Sequence, residues 1–133
     1  MFETERLVEF SMCDSAGILF FSKIFDLTHS AYEEFILRSD LENNYFASEQ
    51  FAIPLVSASA EYLAPIGLHK IIELSMSVTK IGKSSFQLTT IFADEAGNKK
   101  ATVKTTHVFI SKINSKKTEI PEEVLNLLSK YKS

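Results

Sequence analysis

The 133-residue sequence is short of several things, and each shortage closes a class of function. Its one cysteine, Cys13, can form no internal disulfide and no multi-thiol zinc site, which fits a reducing compartment. Its three histidines, His29, His69 and His107, are scattered with no HxxxH or HExxH spacing, so no metal centre is implied. No run of about eighteen apolar residues occurs and the opening MFETERLVEF is charged, so neither a membrane span nor secretion is supported and the expected setting is cytoplasmic. There is no excess of positive charge: the formal net charge of -3 leaves no electrostatic footprint for nucleic acid. Gly82-Lys83-Ser84 mimics the end of a phosphate-binding loop, but Ser77 stands where the first glycine belongs and the segment falls between two strand patterns, so it reads as a hairpin turn. With no internal repeat, low-complexity tract or linker, residues 1–133 are expected to form one domain. That length carries a real core but is small for an enzyme working alone, so oligomerisation is expected.

What is present is organised around the stretch from Glu9 to Arg38, EFSMCDSAGILFFSKIFDLTHSAYEEFILR. Ile24, Leu27, Ala31 and Phe35 recur at helical spacing, and Phe25, Tyr32 and Ile36 widen the stripe. Lys23, Asp26, Glu33, Glu34 and Arg38 fall largely elsewhere, so the spacing predicts a long helix with one wide face to be covered. Ser22 stands at the N-cap position, and Asp14, Ala16 and Gly17 occupy the loop that feeds the helix, which lets a carboxylate face open N–H groups.

Around this helix the chain reads as strands. Leu7 to Ser11 predicts a short strand, and Ser39 to Gln50 a loop with one further helical turn. Pro54 marks the entry to a strand in which Val56, Ala58, Ala60 and Tyr62 form a dry, packed face against Ser57, Ser59 and Glu61. Ile72, Leu74, Met76 and Val78 then alternate with Glu73, Ser75, Ser77 and Thr79. Phe86, Leu88, Thr90 and Phe92 continue the period of two, Asp94 to Asn98 is turn chemistry, and Ala101 to Ile110 predicts the last strand. Pro121, the acidic pair after it, and Val124, Leu127, Leu128 and Tyr131 predict a short amphipathic C-terminal helix. The sum is an α+β layer, with one face of an antiparallel sheet burying the long helix and the other polar, wet or against a partner.

Asp14, before Ser15-Ala16-Gly17, has two readings. The structural one is an Asx turn. The functional one rests on the apolar wall expected from Met12, Ile18, Leu19, Phe20 and Phe21. A carboxylate so placed can act as nucleophile or general base, while N–H groups at a helix start hold a developing oxyanion, an arrangement suited to acyl transfer. A Cys13 nucleophile paired with His29 or His107 is discounted, because alternation turns Cys13 away from Asp14 and a free cysteine is ordinarily a small buried hydrophobe. Lys80, Lys83, Lys99, Lys100 and Lys104 lie near strand ends, where a phosphorylated ligand can meet them, although scattered lysines are ordinarily solvated surface.

EFSMCDSAGILFFSKIF resembles the 4-hydroxybenzoyl-CoA thioesterase branch of the hotdog-fold superfamily. Its pattern F-x-x-x-D-x-x-G-[IV]-[VL]-[FYW]-[FY] is met by Phe10, Asp14, Gly17, Ile18, Leu19, Phe20 and Phe21. THSAYEEFI, FAIPLVSASAEYLAP and KTTHVFI resemble more specifically the 1,4-dihydroxy-2-naphthoyl-CoA hydrolases of phylloquinone and menaquinone synthesis. The resemblance implies a hotdog fold, in which a five-stranded antiparallel sheet wraps a long central helix, with a short C-terminal helix. It implies a homodimer or homotetramer with sites at the subunit interface, an acyl-CoA substrate, and no cofactor, CoA being part of that substrate. It gives Asp14 the role of catalytic carboxylate and the Phe21 backbone N–H that of polarising the thioester carbonyl, with Gly17 in the turn between them. Ile18, Phe20, Phe21 and Phe25 become acyl-pocket candidates, Ser57, Ser59 and Glu61 candidates to complete the site from the partner subunit, and Lys83 a candidate for the CoA phosphates. Two positions depart from the pattern: Ser57 stands where the naphthoyl hydrolases tend to show histidine, and Cys13 replaces a frequent threonine. The expected function is hydrolysis of an aromatic acyl-CoA, with 1,4-dihydroxy-2-naphthoyl-CoA leading. The alternatives are a 4-hydroxybenzoyl, phenylacetyl or short aliphatic thioester, and, from another class, a non-catalytic hotdog binding module.

Overall fold

The computed structural model describes residues 1–133, and its organising element is the helix that the apolar stripe predicts: α1, Lys23–Arg38. Ile24, Leu27, Ala31, Tyr32, Phe35 and Ile36 are buried along it, as is Thr28, whose hydroxyl donates to the Ile24 carbonyl oxygen at 2.8 Å. The strands are β1 (Phe2–Leu7), β2 (Phe51–Ala52), β3 (Leu55–Tyr62), β4 (Ile71–Ile81), β5 (Ser85–Ala93), β6 (Lys99–Val108) and β7 (Ile110–Ser111). Five of them form one antiparallel sheet in the order β1-β4-β5-β6-β3, and β2 and β7 form a separate two-stranded ladder. A second helix, α2 (Glu122–Lys130), closes the chain.

The period of two works as expected in the middle of the sheet. Ile72, Leu74, Met76 and Val78 of β4, Phe86, Leu88 and Phe92 of β5, and Ala101 and Val103 of β6 are buried in one cluster with the α1 stripe and with Val124, Leu127 and Leu128 of α2. Large side chains of this kind each contribute about 1.5–3 kcal/mol on burial. The alternate residues, such as Glu73, Ser75, Thr89 and Lys104, face the other way and stay partly or fully exposed. No helix is long and apolar enough to cross a membrane.

The differences from the sequence reading lie at the margins, and each has a local cause. The first strand runs from Phe2 to Leu7, not from Leu7 to Ser11, where Phe10–Met12 forms a 3-10 turn instead. On the helix side of β1 stand Thr4 and Arg6, both bonded to Glu34 of α1 at 2.8 Å, so a polar tie replaces the apolar alternation that would have marked the strand. Between Ser39 and Gln50 there is no helical turn. That loop is held by Tyr45, which is buried and donates its hydroxyl to Glu123 of α2 at 2.7 Å. The last strand ends at Val108, because fully buried Phe109 anchors the chain and Ile110–Ser111 turns to pair with Phe51–Ala52.

The largest difference is β3. Its expected dry face of Val56, Ala58, Ala60 and Tyr62 is mostly bare: Val56 is 58% and Tyr62 47% exposed, Ala58 is exposed, and Ala60 alone packs partly against the core. β3 is an edge strand paired only with β6, while the α1 stripe is spent on the central strands. A bulge between Leu55 and Ser57 also puts Leu55 opposite His107, so Leu55, not Val56, takes the helix-side place.

Candidate active site

Residues Met12 to Phe20 form a small hairpin. The Phe20 N–H donates to the Met12 carbonyl oxygen at 2.8 Å, the Asp14 N–H donates to the Ile18 carbonyl oxygen at 2.9 Å, and Cys13 bridges Leu19. Gly17 turns the chain at φ 74°, a conformation that costs any residue with a Cβ. The hairpin docks on the entry to β4, with the Leu19 N–H donating to Ile66 O at 2.8 Å and the Leu68 N–H to Gly17 O at 3.0 Å. Asp14 Oδ1 accepts hydrogen bonds from the Ala16 N–H at 2.9 Å and the Ile18 N–H at 3.2 Å, which is the Asx turn of the structural reading. Its Oδ2 carries no such bond.

The hairpin delivers the chain to the start of α1. Ser22 holds the N-cap position but in a helical conformation, φ -76° and ψ -19°, and its side chain caps nothing. The Lys23 N–H donates to Phe20 O at 2.9 Å and the Phe25 N–H to Ser22 O at 3.2 Å, whereas the N–H groups of Phe21 and Ser22 meet no protein acceptor. Open donors at the positive end of a helix attract developing negative charge. The Phe21 carbonyl oxygen accepts a hydrogen bond from the Tyr62 hydroxyl of β3, which fixes this stretch against the edge strand; burial raises the Tyr62 pKa. The sequence reading had Tyr62 as one more packed residue and missed this link.

The apolar wall expected around Asp14 divides in two. Leu19 is buried, Met12 and Cys13 pack against the core, and Ile18 is half-buried. Phe20 and Phe21 instead lie 42% and 63% exposed, their rings 4.9 Å apart, and Asp14 is exposed with them. Alternation in a two-limbed hairpin explains this, since one side of it faces the core and the other faces out. The protomer therefore presents the carboxylate and the open N–H groups at one end of α1 without covering them. Cys13 Sγ lies 3.6 Å from the Glu9 carbonyl oxygen, in keeping with a structural thiol.

The other candidates fall in three places. Ser57, Ser59 and Glu61 stand on the outer face of β3, opposite Thr106, Lys104 and Thr102. Lys83 sits in the β4–β5 turn, where the Gly82 N–H donates to Ser85 O at 2.7 Å, and its Nζ lies 3.5 Å from Glu119. The hairpin of Asp14 meets the opposite end of β4, so about 35 Å of strand separates the two and the protomer does not bring Lys83 to the site. Lys100 is at the near end, where with Lys70 and Gly67 it lines an open groove of about 390 Å³, and Gly67 bridges Ile18 of the hairpin. Lys100 also pairs with Asp94 at 3.7 Å.

A separate cavity of about 260 Å³ lies between α1, β3 and β6, walled by Phe25, Tyr32, Leu55 and Ala58 and reached by both His29 and His107. Two histidines that are distant in sequence thus converge. Of the acyl-pocket candidates, Phe25 lines this cavity; Ile18, Phe20 and Phe21 do not. Burial first, and the charge of His29 second, lower the His107 pKa to about 4, so it is neutral at physiological pH, and burial pushes the Tyr32 pKa up. The sequence held one signal of this feature: period two places Thr105 and His107 inward after Ala101 and Val103, polar residues at core positions.

A long helix wrapped by a five-stranded antiparallel sheet, with an acidic turn at the open end of the helix, is the hotdog architecture of thioester-acting proteins. Residues 8–128 match the family model described as the thioesterase-like superfamily, and the chain belongs to that superfamily. A 1,4-dihydroxy-2-naphthoyl-CoA hydrolase from Nostoc punctiforme is 31% identical over 96% of this chain and 86% of its own length. The crystal structure of a 1,4-dihydroxy-2-naphthoyl-CoA thioesterase from Synechocystis superposes with a TM-score of 0.89 at 26% identity, covering 96% of this chain and 95% of the other. The dynemicin thioesterase, at 16% identity and a TM-score of 0.90 over 98% and 96% of the two chains, shares the fold.

Proposed function

We propose that this chain hydrolyses an aromatic acyl-CoA, with 1,4-dihydroxy-2-naphthoyl-CoA as its substrate. The observation that carries this is the Asp14 carboxylate, one oxygen free of the turn, at the same end of α1 as the unsatisfied N–H groups of Phe21 and Ser22. As the thioester carbon is attacked, its carbonyl oxygen gains charge, which the Phe21 N–H and the helix dipole hold; losing one such donor commonly costs about 3 kcal/mol. Asp14 Oδ2 either takes a proton from the attacking water or attacks the carbon itself. In the second route a mixed anhydride forms as the C–S bond breaks, and water then cleaves it. By either route one water is consumed, the acid is released and CoA leaves as its thiol, with no cofactor called for. The names of the Nostoc and Synechocystis relatives support the choice of acyl group. Lys70 and Lys100, near the hairpin, are better placed than Lys83 for the CoA phosphates within one protomer.

A second copy is part of this proposal. Phe10, Phe20, Phe21, Val56 and Leu63 are bare, and β3 has one unpaired edge, a combination that folded sheets ordinarily cover. A two-fold contact covers the same patch on both protomers at once. Thiol release from a panel of 1,4-dihydroxy-2-naphthoyl-, 4-hydroxybenzoyl-, phenylacetyl- and short aliphatic CoA thioesters tests the function. The first is expected to show the highest kcat/KM, and Asp14→Asn to lower it at least about 100-fold. Turnover of none of them, or an unimpaired variant, overturns the proposal.

A further inference from the structure

We propose that Tyr62 is a positioning residue for the reaction: its hydroxyl, bonded to the Phe21 carbonyl oxygen, orients and strengthens the Ser22 N–H as a second oxyanion donor beside the Phe21 N–H. The oxyanion rests on the function proposed above; the hold of Tyr62 on the Ser22 N–H does not.

The Phe21 carbonyl and the Ser22 N–H are the two ends of one peptide group. A donor at the carbonyl oxygen draws electrons towards it and leaves the N–H more positive, so hydrogen bonds at the two ends of a peptide reinforce each other. Both open N–H groups at the start of α1 belong to peptides held in this way. Behind the Phe21 N–H, the Phe20 carbonyl oxygen accepts from the Lys23 N–H at 2.9 Å. Behind the Ser22 N–H, no backbone donor serves the Phe21 carbonyl oxygen. The Phe25 N–H, which regular helical bonding would send there, goes to Ser22 O at 3.2 Å instead. The Tyr62 hydroxyl is the donor that fills the place.

The edge strand carries it there. Tyr62 closes β3 opposite Ala101, two residues after Ala60, which packs against the core opposite buried Val103, so period two turns the Tyr62 ring to the helix side. The chain beyond is pinned, since the Leu63 and Ala64 N–H groups both donate to the Lys100 carbonyl oxygen, at 2.8 and 3.1 Å. Burial raises the pKa of the phenol, so Tyr62 keeps its proton at neutral pH and serves the carbonyl as a donor. Ser22 itself is helical, φ -76° and ψ -19°, so its N–H points out of the same helix end as that of Phe21.

Tyr62→Phe removes the donor and keeps the ring. With the thioester that gives the highest kcat/KM in the panel, kcat is expected to fall about two- to eightfold and KM to stay, because the donor acts on charge that develops after binding. That range is about 10–30% of the logarithm of the roughly 100- to 1,000-fold supplied by one oxyanion donor. Replacing Tyr62 by 3-fluorotyrosine and 3,5-difluorotyrosine, at a pH where each keeps its proton, is expected to raise kcat in step with hydroxyl acidity. A merely structural tie produces no such grading.

A second readout needs no turnover. Protein isotopically labelled at the phenylalanine carbonyl carbon and the serine nitrogen gives amide signals for the Phe–Ser pairs alone, Ser22 after Phe21 and Ser11 after Phe10. The Ser22 amide nitrogen is expected to move upfield in Tyr62→Phe and downfield along the fluorinated series, with Ser11 unmoved. A Ser22 signal indifferent to these changes, or a wild-type kcat in Tyr62→Phe, overturns the proposal even if hydrolysis proceeds. A rise in KM alone overturns it too, by making the phenol a substrate contact. Absent hydrolysis of every thioester, with Ser22 still tracking Tyr62, sinks the enzymatic reading and leaves the hold on the N–H standing.

Discussion

The two oxygens of Asp14 differ in their bonding, and substitutions can separate the turn from the role proposed for the carboxylate. Oδ1 holds the turn through Ala16 and Ile18, while Oδ2 is free. Asparagine keeps an acceptor at Oδ1, so Asp14→Asn is expected to melt with wild type while losing turnover; alanine loses both, and Asp14→Ala is expected to cost a further ~1 kcal/mol of stability, seen as a Tm lower by a few degrees. If the two variants melt alike, the turn does not depend on the carboxylate. His107 makes a second prediction at this scale. Its pKa is about 4 folded against 6.5 unfolded, so as pH falls the unfolded chain takes up the proton first. The contribution is complete above pH 6.5 and is lost between 6.5 and about 4, amounting to about 3 kcal/mol at roughly 1.4 kcal/mol per pKa unit. Denaturant melts across that window are expected to show the loss in wild type and a shallower one in His107→Gln. Equal slopes would mean that His107 is hydrated when folded.

Between elements, the tie from α1 to β1 is polar. Glu34 takes a hydrogen bond from Thr4 at 2.8 Å and pairs with Arg6 at 2.8 Å and Arg38 at 2.9 Å. Burial works to raise its pKa, but these bonds and the Arg6 charge outweigh that and hold it below 4.5. The stabilisation is therefore present above pH 4.5 and lost as pH falls through the lower folded value. Glu34→Gln is expected to cost about 1–2 kcal/mol at neutral pH, and the difference from wild type to shrink in acid; a constant difference would show that the charge contributes nothing. The same tie explains what the sequence could reveal. The α1 stripe and the central strands alternate as apolar and polar residues, so their periods can be read directly. β1 announces itself through Thr4 and Arg6, whose shared partner Glu34 lies 30 and 28 residues on, and no local pattern carries that. Asp14, Gly17 and the helix start are contiguous and were legible as a unit. The cavity was not, because Tyr32, Ala58 and His107 meet only after the edge strand has paired with β6.

At the scale of the whole molecule, the protomer leaves uncovered the groups to which the proposal assigns the reaction, and the proposal therefore ties assembly to activity. Asp14, Phe20 and Phe21 are exposed at one end of α1, and Tyr62, Leu63 and Val56 of the adjoining edge strand are exposed as well. A carboxylate in bulk water is a weak base and a weak nucleophile, and open N–H groups in water are bonded by it; both gain strength once water is excluded. If a second copy supplies the cover, a charge placed on the contact surface separates the protomers and removes turnover together. Val56 and Leu63, 58% and 56% exposed near the two ends of β3, are suitable positions, since lysine there meets water in the protomer and costs its fold little. Val56→Lys/Leu63→Lys is expected to sediment as a monomer where wild type sediments as a dimer or larger, to keep its circular dichroism, and to lose at least about 100-fold in kcat/KM, the scale of a lost acid–base contribution. A folded monomer with wild-type turnover would place the whole site within one chain, and wild-type sedimentation by the double variant would move the contact elsewhere.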